Sequence, residues 1–396
     1  MSDSILVLNC GSSSIKFALF DAQQVGTQRQ PLWSGKVSGI GSAHASLETS
    51  EQPSLPLSLS AAQPNHDALL IIREQVRARL GHDHLLAVAH RVVHGGVKYA
   101  APVRVDAAVL ADLRSYIPLA PLHQPFALEA IEALLDSNPS LTQVACFDTA
   151  FHHTLPRVEQ MLPLSQAAWA RGLRRYGFHG LSYAYMALVL SERYPDMTQA
   201  RVVVAHLGSG ASLCAMQNWQ SVATTMGFSA LDGLMMGTRT GAIDPGAVLY
   251  LMEVERLSLE QVGHMLYHES GLLGLSGISS DPFVLLQQEA DNPNIQDALA
   301  LYVRRIVREI GALVAVLGGI DMLVFTAGIG EHNVELRRRI CADLGFLGVQ
   351  LEQAHNAQAI AIPALISAPE SRIKVVVEPT NEEWIAARHA LSLCTS

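Results

Sequence analysis

Residues 5–20 of the 396-residue chain read ILVLNCGSSSIKFALF, and this stretch decides the fold. An apolar run stops at Asn9, passes Gly11 and three serines, and resumes as a second apolar run that contains Lys16. Apolar residues alternate around Lys16, which predicts a β-hairpin with that lysine on the outer face. Glycine and serine are common in any turn, but an amide, hydroxyls and a cation together also suit bound phosphate. The Walker A pattern is absent.

The hairpin pattern returns in the middle of the chain. Residues 202–216 read VVVAHLGSGASLCAM, again an apolar strand, a polar residue, a glycine-serine turn and a second strand. When the two stretches are aligned without gaps, Asn9 falls on His206 and Gly11 falls on Gly208. Two equivalent hairpins predict a duplicated domain with a ligand held between the copies, although glycine-serine turns are common enough to recur by coincidence.

The composition is typical of a globular protein with a large buried fraction. Hydrophobic residues make up 49% and charged residues 16%, and the length predicts two to three domains at about 150 residues each. The net charge is −9 and basic runs are absent, which disfavours a nucleic-acid partner because such binding depends on phosphate neutralisation. The five cysteines are widely spaced, so we expect reduced core thiols in a cytosolic protein.

The hydropathy pattern indicates neither a membrane span nor a secretory segment. The longest apolar run, IGALVAVLGGI from Ile310, stops at Asp321, short of the roughly 20 residues that a span needs. Residues 1–4 carry no basic region and lead directly into the first strand. We therefore expect no membrane partner and a cytoplasmic location.

Local patterns predict several further elements. A helix is expected from Asn65, a suitable N-cap, to Gly81. The β-branched runs LLAVAHRVV and QVACFD predict buried strands, the second ending at Asp148. The run MLVFTAGIGEHN predicts a third passage from a strand to glycines, followed by a helix over VELRRRICADLGF.

Residues 380–383, TNEE, fit a capping box at the start of the last helix. Thr380 would be the N-cap, and Glu383 would reach back from the third helical position. This interpretation explains Glu383 by structure alone and leaves Glu382 available for another role.

The stretch HRVVHGG has two interpretations. His90 and His94 are four residues apart, as in the zinc motif H-E-x-x-H, but that motif needs a helix and a glutamate, and this stretch is a β-branched strand. On a strand, Arg91 and Val93 share one face, and an arginine beside an apolar residue suits a small organic anion. A lone arginine more commonly forms a surface ion pair.

Three more polar residues stand at places that suit phosphate chemistry. Arg239 lies between glycines that let backbone approach a ligand, and His179 directly precedes a helix pattern. Asp148 ends a strand, where active-site acids of α/β proteins are found. Together with the two turns, these residues supply what in-line phosphoryl transfer requires: cations for the equatorial oxygens, carboxylates for Mg²⁺, and small-residue turns around phosphates.

The motifs, taken in order, resemble those of the acetate kinase family: VLNCGSSSIKF, HRVVHGG, PLAPLH, FDTAFHHTLP, RRYGFHGLS, AHLGSGASL, GLMMGTRTGAIDPG, ESGLLGLSG, FTAGIGE and PTNEE. The resemblance covers essentially the whole chain. It implies the α/β fold of acetate and sugar kinases, Hsp70 and actin: two duplicated ribonuclease-H-like domains with a cleft between them, in a homodimer. The domains would comprise residues 1–149 with 383–396, and residues 150–382.

The resemblance also implies a reaction: ATP and acetate give ADP and acetyl phosphate reversibly, with Mg²⁺ (Mn²⁺ as an alternative) and without a phosphoenzyme. The implied catalytic residues are Arg91, Asp148, His179 and Arg239. Arg91 would also hold the acetate carboxylate, beside an apolar wall of Val93, Leu122 and Phe178. The implied metal-binding residues are Asn9 and Glu382.

The resemblance further implies where the nucleotide and its phosphates bind. Two hairpin turns and His123 would contact the phosphates, and the GIG sequence would form the adenosine loop. The implied phosphate and nucleotide residues are Ser12, Ser14, Lys16, His123, His206, Gly208, Ser209, Gly210, Asp281, Gly328, Ile329 and Gly330.

The chain departs from the family pattern at five positions, three of them on the nucleotide side. The departures are Ser209 for Asn, Ala230 for Pro, Ala242 for Asp, Phe283 for Arg and His332 for Asn. We expect looser nucleotide selectivity or another phosphoryl donor. The smaller Ala230 also suggests that propionate is tolerated after acetate, because one methylene changes preference by only about 1–3 kcal/mol.

Three alternative functions remain at this point. The first is a propionate or broader short-chain carboxylate kinase with relaxed nucleotide selectivity. The second is a non-kinase nucleotide switch of the actin or Hsp70 type, which would have no reason to keep both Arg91 and Arg239 at a small apolar pocket. The third is a zinc hydrolase built on the histidines, which the strand pattern disfavours.

Overall fold

The computed structural model describes residues 2–121 and 123–395, and the chain forms two compact units. The first extends to Phe151 and takes up the chain again from Asn381; the second is His152–Thr380. Glu382 therefore belongs to the first unit, whereas the sequence placed it in the second. The reason is that the last helix packs on the first unit's sheet.

The first unit is built on a mixed sheet. Its strands are β1 (Asp3–Cys10), β2 (Ser14–Asp21), β3 (Trp33–Ser38), β4 (Ser46–Thr49), β5 (Gln52–Pro56), β6 (His84–Val92), β7 (Val103–Arg104) and β8 (Thr142–Phe147). The spatial order is β5-β4-β3-β2-β1-β6-β8-β7. Strands β1, β2 and β3 form an antiparallel meander, and β6 and β8 continue the sheet parallel to β1.

The second unit repeats this topology. Its strands are β9 (Arg201–Leu207), β10 (Ala211–Gln217), β11 (Gln220–Thr224), β12 (Met322–Thr326), β13 (Ala364–Leu365) and β14 (Lys374–Val377), in the spatial order β11-β10-β9-β12-β14-β13. An antiparallel meander is again followed by two parallel strands and a short antiparallel edge strand. Both sheets share one connectivity, so the predicted duplication is confirmed.

Both predicted hairpins form in the structure. In the first, Asn9 pairs with Lys16, and the Gly11 amide donates to the Ser14 carbonyl at 2.9 Å. In the second, His206 pairs with Ser212. In both hairpins, a polar residue therefore lies one position before the end of the strand that precedes the turn.

The helices cover the sheets, and most differences between the predicted and observed elements concern them. They are α1 (Pro64–Leu80), α2 (Ala107–Ser115), α3 (Gln124–Ser137), α4 (Arg157–Gln160), α5 (Gln166–Ala170), α6 (Gly180–Arg193), α7 (Pro245–Glu253), α8 (Leu259–His268), α9 (Gly271–Ser276), α10 (Pro282–Leu286), α11 (Pro293–Leu317), α12 (Ala327–His332), α13 (Val334–Asp343), α14 (Gln353–Gln358) and α15 (Glu382–Cys394). Among the described residues, none of these helices has the length and apolar character that a membrane crossing requires.

Two predicted helix starts were wrong. Helix α1 begins at Pro64 with Gln63 as its N-cap, because proline is preorganised for the first helical position. Helix α15 is capped by Asn381, whose side chain accepts from the Trp384 amide, so the capping box from Thr380 does not form. Glu382 is consequently the first helical residue.

Candidate active site

A doubly paired arginine lies at the end of β6 in the first unit. Strand β8 runs parallel to β6 and ends at Phe147, so Asp148 follows directly beside it, with its amide bonded to the Val92 carbonyl at 3.1 Å. Arg91 Nε donates to Asp148 Oδ1 at 3.0 Å, and Nη2 donates to Oδ2 at 2.8 Å. This two-bond geometry fixes the plane of the guanidinium.

The same guanidinium pairs with the start of the last helix. Arg91 Nη1 lies 2.9 Å from Glu382 Oε2, while Nε and Nη2 are used by Asp148. Helix α15 packs against β6 and β1, which brings its first residue to the end of the sheet. One cation thus lies between two carboxylates that are remote from it in sequence but adjacent to it in space.

The charges of this cluster depend on one another. Burial would lower the pKa of Arg91, but Asp148 and Glu382 outweigh it and raise that pKa well above its usual range. Burial raises the pKa of Glu382 to about 7; Arg91 opposes this rise, and Asp148 adds to it by repulsion. The cluster therefore holds a carboxylate that a further cation would ionise fully.

The first hairpin lies near this cluster. The positive charge of Lys16 lowers the pKa of Glu382, and Asn9 lies directly opposite Lys16 in the hairpin. Ser12 is exposed in the turn, and Ser14 begins β2. The structure thus brings Arg91, Asp148 and Glu382 into direct contact and places Lys16 near them, opposite Asn9 in the hairpin.

A second cluster surrounds the equivalent turn of the second unit. A Cβ added at Gly210 would lie 3.3 Å from His179 Nε2 and 3.6 Å from Arg239 Nη1. A Cβ added at Gly208 would lie 3.9 Å from His206 Nε2. Three nitrogen-bearing side chains therefore face one turn whose glycines leave room for a bound anion.

Arg239 differs from Arg91 in its partners. Its Nη1 donates to the Ala230 carbonyl at 3.1 Å and lies 3.8 Å from Met236 Sδ. No carboxylate lies within ion-pair distance of it in the described part of the chain, and position 242 is an alanine. Burial lowers the pKa of Arg239 from its usual value. A half-buried guanidinium without a carboxylate partner favours binding of an anion.

His179 is held in an unusual backbone conformation. It has φ of 59° and is the N-cap residue of α6. His152, which sequence reasoning did not assign, contacts the preceding residue, since its Nε2 lies 2.9 Å from the Phe178 carbonyl oxygen. Gly177 (φ 75°) is needed here, because a Cβ would lie 2.5 Å from the His152 ring. The motif FDTAFHHTLP contained His152, but its role depends on the fold.

Comparison with known proteins identifies the family. The model of the acetokinase family matches residues 4–388. The chain belongs to the acetokinase family. It is 48% identical over 400 residues to an acetate kinase of Rhodopseudomonas palustris (strain TIE-1), covering 99% of each chain. It also resembles the crystal structures of Porphyromonas gingivalis acetate kinase and of a propionate kinase from Francisella tularensis. The Porphyromonas structure has a TM-score of 0.88 and 34% identity, and the match covers 99% of this chain and 100% of that one. The Francisella structure has a TM-score of 0.89 and 32% identity, and the match covers 98% of this chain and 99% of that one.

These similarities confirm the predicted fold class and enzyme class. The duplicated α/β units have the actin-like ATPase fold seen in those acetokinase-family structures. As a family member, the chain is a kinase whose phosphoryl acceptor is a carboxyl group.

Several residues expected from the acetokinase pattern lie in other contexts. Gly328–Gly330, expected as a loop, lie inside the short helix α12; a Cβ at Gly208 would be 3.6 Å from the Ala327 Cβ at its start. Asp281 caps α10 by accepting from the Phe283 amide at 2.9 Å. His123 is the N-cap residue of α3.

The predicted apolar wall is partly described. Phe178 is buried, and Val93 follows β6 at an intermediate depth. Leu122 lies outside the described residues. The wall residues of the acetokinase pattern therefore flank Arg91 and His179 in sequence, each within its own unit.

The donor set of the first unit fits Mg²⁺ in an acetokinase. Within residues 2–121 and 123–395, no cluster of three or more His, Cys, Asp or Glu forms a metal cage. Mg²⁺ is commonly bound by one or two carboxylates and completes its coordination with water and substrate phosphates. Asp148 and Glu382, with the raised pKa of Glu382, supply such a partial set.

Proposed function

We propose that this chain catalyses the Mg²⁺-dependent, reversible transfer of a phosphoryl group from ATP to acetate, giving acetyl phosphate and ADP. Transfer would be direct and in line, without a phosphoenzyme. The observation that carries the proposal is a contrast between two arginines. Arg91 is paired with two carboxylates, whereas the half-buried Arg239 lies with His179 at a glycine turn and has no carboxylate partner among the described residues. The first suits a site shared with a metal ion, and the second suits a phosphoryl group.

The first unit would bind the acid and the metal ion. Arg91, oriented by Asp148, would hold the acetate carboxylate and the equatorial oxygens. Asn9 and Glu382 would hold Mg²⁺, or Mn²⁺ as an alternative. When bound, the ion would neutralise phosphate charge. Ser12, Ser14 and Lys16 would contact phosphates.

The second unit would bind the transferring group and the nucleotide. Arg239 would stabilise the equatorial oxygens, and His179 would donate to the same group. The remaining proposed phosphate and nucleotide residues are His123, His206, Gly208, Ser209, Gly210, Asp281, Gly328, Ile329 and Gly330. We keep Asp281 as a proposal, although its carboxylate also serves as a helix cap.

This reaction needs no general base. Acetate is already an anion at neutral pH. The barrier comes instead from repulsion between a carboxylate and a triphosphate, which the two guanidiniums and the metal ion would offset. Val93, Leu122 and Phe178 would contact the methyl group.

Substrate selectivity is a finer part of the proposal. We propose acetate as the preferred acid and propionate as tolerated, since the chain is similar to both acetate kinases and a propionate kinase. The Ala230 carbonyl accepts from Arg239, so a change at this position reaches the phosphoryl site. Phe283, 41% exposed at the start of α10, supports looser nucleotide selectivity.

We also propose a cytoplasmic homodimer in which each of the two compact units is one domain, the first including the last helix with Glu382. Helix α7 supports self-association, because no residue of this apolar helix is buried within the chain. Leu249 and Tyr250 on α7 and the flanking Ile243 and Val254 are exposed. Leu249→Asp should yield monomers in sedimentation velocity runs; an unchanged sedimentation coefficient would contradict the assignment of this surface.

An acyl phosphate assay tests the activity. Hydroxylamine traps acyl phosphates as hydroxamates, so formation is measured with acetate, propionate and butyrate, and with ATP, GTP, CTP and pyrophosphate as donors. We expect acetate to give the highest kcat/KM, propionate less, and more than one nucleotide to be used. A flat or butyrate-favouring profile would contradict the acid preference, and strict use of ATP would contradict relaxed nucleotide selectivity.

The same assay separates the alternatives. ATP hydrolysis without hydroxamate would favour the nucleotide switch. Activity that is lost on chelation and restored by zinc but not by magnesium would favour a zinc enzyme.

A further inference from the structure

A chain of buried hydroxyls leads from the core of the second unit to His179. Tyr183 OH lies 2.6 Å from Ser212 Oγ, and Ser212 Oγ lies 2.9 Å from His179 Nδ1. Tyr183 and Ser212 are both 0% exposed. Bulk water is therefore excluded from both hydroxyls, and the side chains themselves decide which group donates in each hydrogen bond.

The relative acidity of the two hydroxyl groups decides which of them donates to the other. A phenol is a stronger donor than an aliphatic alcohol, so Tyr183 donates to Ser212. The serine hydrogen is then available to His179 Nδ1, which accepts it. A neutral imidazole carries a single proton, and accepting at Nδ1 places that proton on Nε2.

The protonated nitrogen faces the phosphate turn. A Cβ added at Gly210 would lie 3.3 Å from His179 Nε2. We propose that Ser212 and Tyr183 are positioning residues that hold His179 as the neutral Nε2–H tautomer, a hydrogen-bond donor toward the phosphoryl oxygens. This inference rests on the proposed function for the identity of the ligand. The opposite tautomer would present a lone pair to an anion.

The fold builds this chain from two elements. Tyr183 follows His179 by four residues, so both lie on the same face at the start of α6. Ser212 comes from β10, where it pairs with His206 of β9. The hydroxyl therefore reaches the histidine from the sheet, and the phenol reaches the hydroxyl from the helix.

His206 provides an internal comparison. Its ring stacks on that of His179, with centroids 4.1 Å apart and an interplanar angle of 17°. Its Nδ1 lies 2.9 Å from Ser182 Oγ, which lies 2.8 Å from Thr380 Oγ1. Two aliphatic hydroxyls have similar acidity, so this second chain sets no direction. Of these two hydroxyl chains, the one that ends in Tyr183 has the difference in acidity that favours one tautomer.

The tautomer is read directly by long-range ¹H–¹⁵N correlation spectra of the ¹⁵N-histidine-labelled full chain without ligands. The His179 signals are assigned by their loss in His179→Gln. We expect Nε2 of His179 to show the protonated pattern and Nδ1 the unprotonated one. A protonated Nδ1 at neutral charge would overturn the inference.

Variants connect the tautomer to turnover. Tyr183→Phe keeps the ring but removes the donor, and we expect mixed His179 tautomers and a kcat about tenfold lower, with the acetate KM within about twofold. Tyr302→Phe is the matched control. Tyr302 is also buried in this unit, and its hydroxyl has no hydrogen-bond partner among the described residues, so its removal should change neither readout.

The outcomes separate this inference from the proposed function. Equal loss of kcat in both tyrosine variants, or unchanged His179 signals in Tyr183→Phe, would overturn the hydroxyl chain. If Tyr183→Phe does not fold, the wild-type spectrum still decides. Absence of acetyl phosphate synthesis by the wild-type chain would refute the proposed function, while the spectrum would still report the tautomer.

Discussion

Arg91 and Arg239 are chemically identical side chains in opposite electrostatic environments. In the first unit, Arg91 is bound by Asp148 and Glu382, and its pKa is raised. In the second unit, Arg239 contacts the neutral Ala230 carbonyl, and burial lowers its pKa. A compensated guanidinium is a rigid part of a scaffold, whereas an uncompensated one gains most from an anionic ligand.

The difference extends to the neighbours of each arginine. The first unit surrounds its guanidinium with ionisable carboxylates, one of which has a pKa raised to about 7. The second unit surrounds its guanidinium with imidazoles and a glycine turn. Two units of one topology thus differ in the groups around their arginine, which are carboxylates in the first unit and imidazoles with a glycine turn in the second.

The largest expected effect is on turnover. Arg91→Ala and Arg239→Ala should each lower kcat/KM for acetyl phosphate synthesis about 100-fold or more, because each removes a donor to developing charge. Arg338→Ala is the control, since Arg338 forms a surface pair with Glu335 and lies 45% exposed. Hydroxamate formation measures these rates. A wild-type rate in either site variant would show that catalysis does not require that arginine. His179→Ala should be less severe than either arginine variant.

The next effect concerns the metal ion in the first unit. Glu382→Gln should raise the Mg²⁺ concentration for half-maximal activity about 10- to 100-fold, the usual cost of perturbing a metal site. Glu383→Gln is the matched control, because this neighbouring carboxylate is not paired with Arg91 in the described structure. The same Mg²⁺ requirement in both variants would show that the carboxylate cluster does not serve the metal ion.

A third effect distinguishes the arginines by stability. Arg91→Ala leaves Asp148 and Glu382 as adjacent partly buried carboxylates, which should lower the free energy of unfolding by about 3 kcal/mol. Arg239→Ala leaves no carboxylate without its partner and should cost less than about 1 kcal/mol. Urea denaturation at neutral pH measures both. Equal losses would mean that the two environments are energetically alike.

A triple variant provides the control for that difference. Adding Asp148→Asn and Glu382→Gln to Arg91→Ala removes the repulsion and should restore part of the lost stability. No recovery would indicate that the loss came from packing of the arginine stem.

The sequence predicted the two hairpins because alternation and small-residue turns act locally. Residues 9 and 16 pair in the first hairpin, and residues 206 and 212 pair in the second, whose turn is one residue shorter. It failed at the start of α15, since Thr380 and Asn381 are both good N-caps and local chemistry does not choose between them. With Asn381 as the N-cap, Glu382 is the first residue of the helix and pairs with Arg91. That contact joins residues that are remote in sequence.

The site was predicted only to the extent that its residues belong to motifs. Arg91, Asp148 and Glu382 come from three separate motifs and lie in contact, but their mutual pairing could not be read from the sequence. Ser212 and His152 were missed, because a serine in a strand and a second histidine in a pair carry no local signal. A tyrosine four residues after His179 was the one available indication of the hydroxyl chain.

The smallest expected effect is on the pH dependence of stability, and it should be similar in the two units. His90 in the first unit and His152 in the second are both buried, and burial lowers each pKa to about 4. Between pH 6.5 and 4 the unfolded chain therefore binds more protons at these positions than the folded chain. Their contribution to stability is complete above pH 6.5 and is lost as the pH falls toward 4.

From pH 7 to pH 5, each histidine should account for about 2 kcal/mol of lost unfolding free energy. His90→Gln and His152→Gln remove the titrating group, so each should flatten the dependence of stability on pH by a similar amount, whatever its effect at pH 7. Urea denaturation at both pH values gives the slopes, and His44→Gln, at an exposed position, is the control. A wild-type slope in either buried variant would mean that folding does not lower the pKa of that histidine. Unequal changes in the two variants would mean that the two units also differ in their cores.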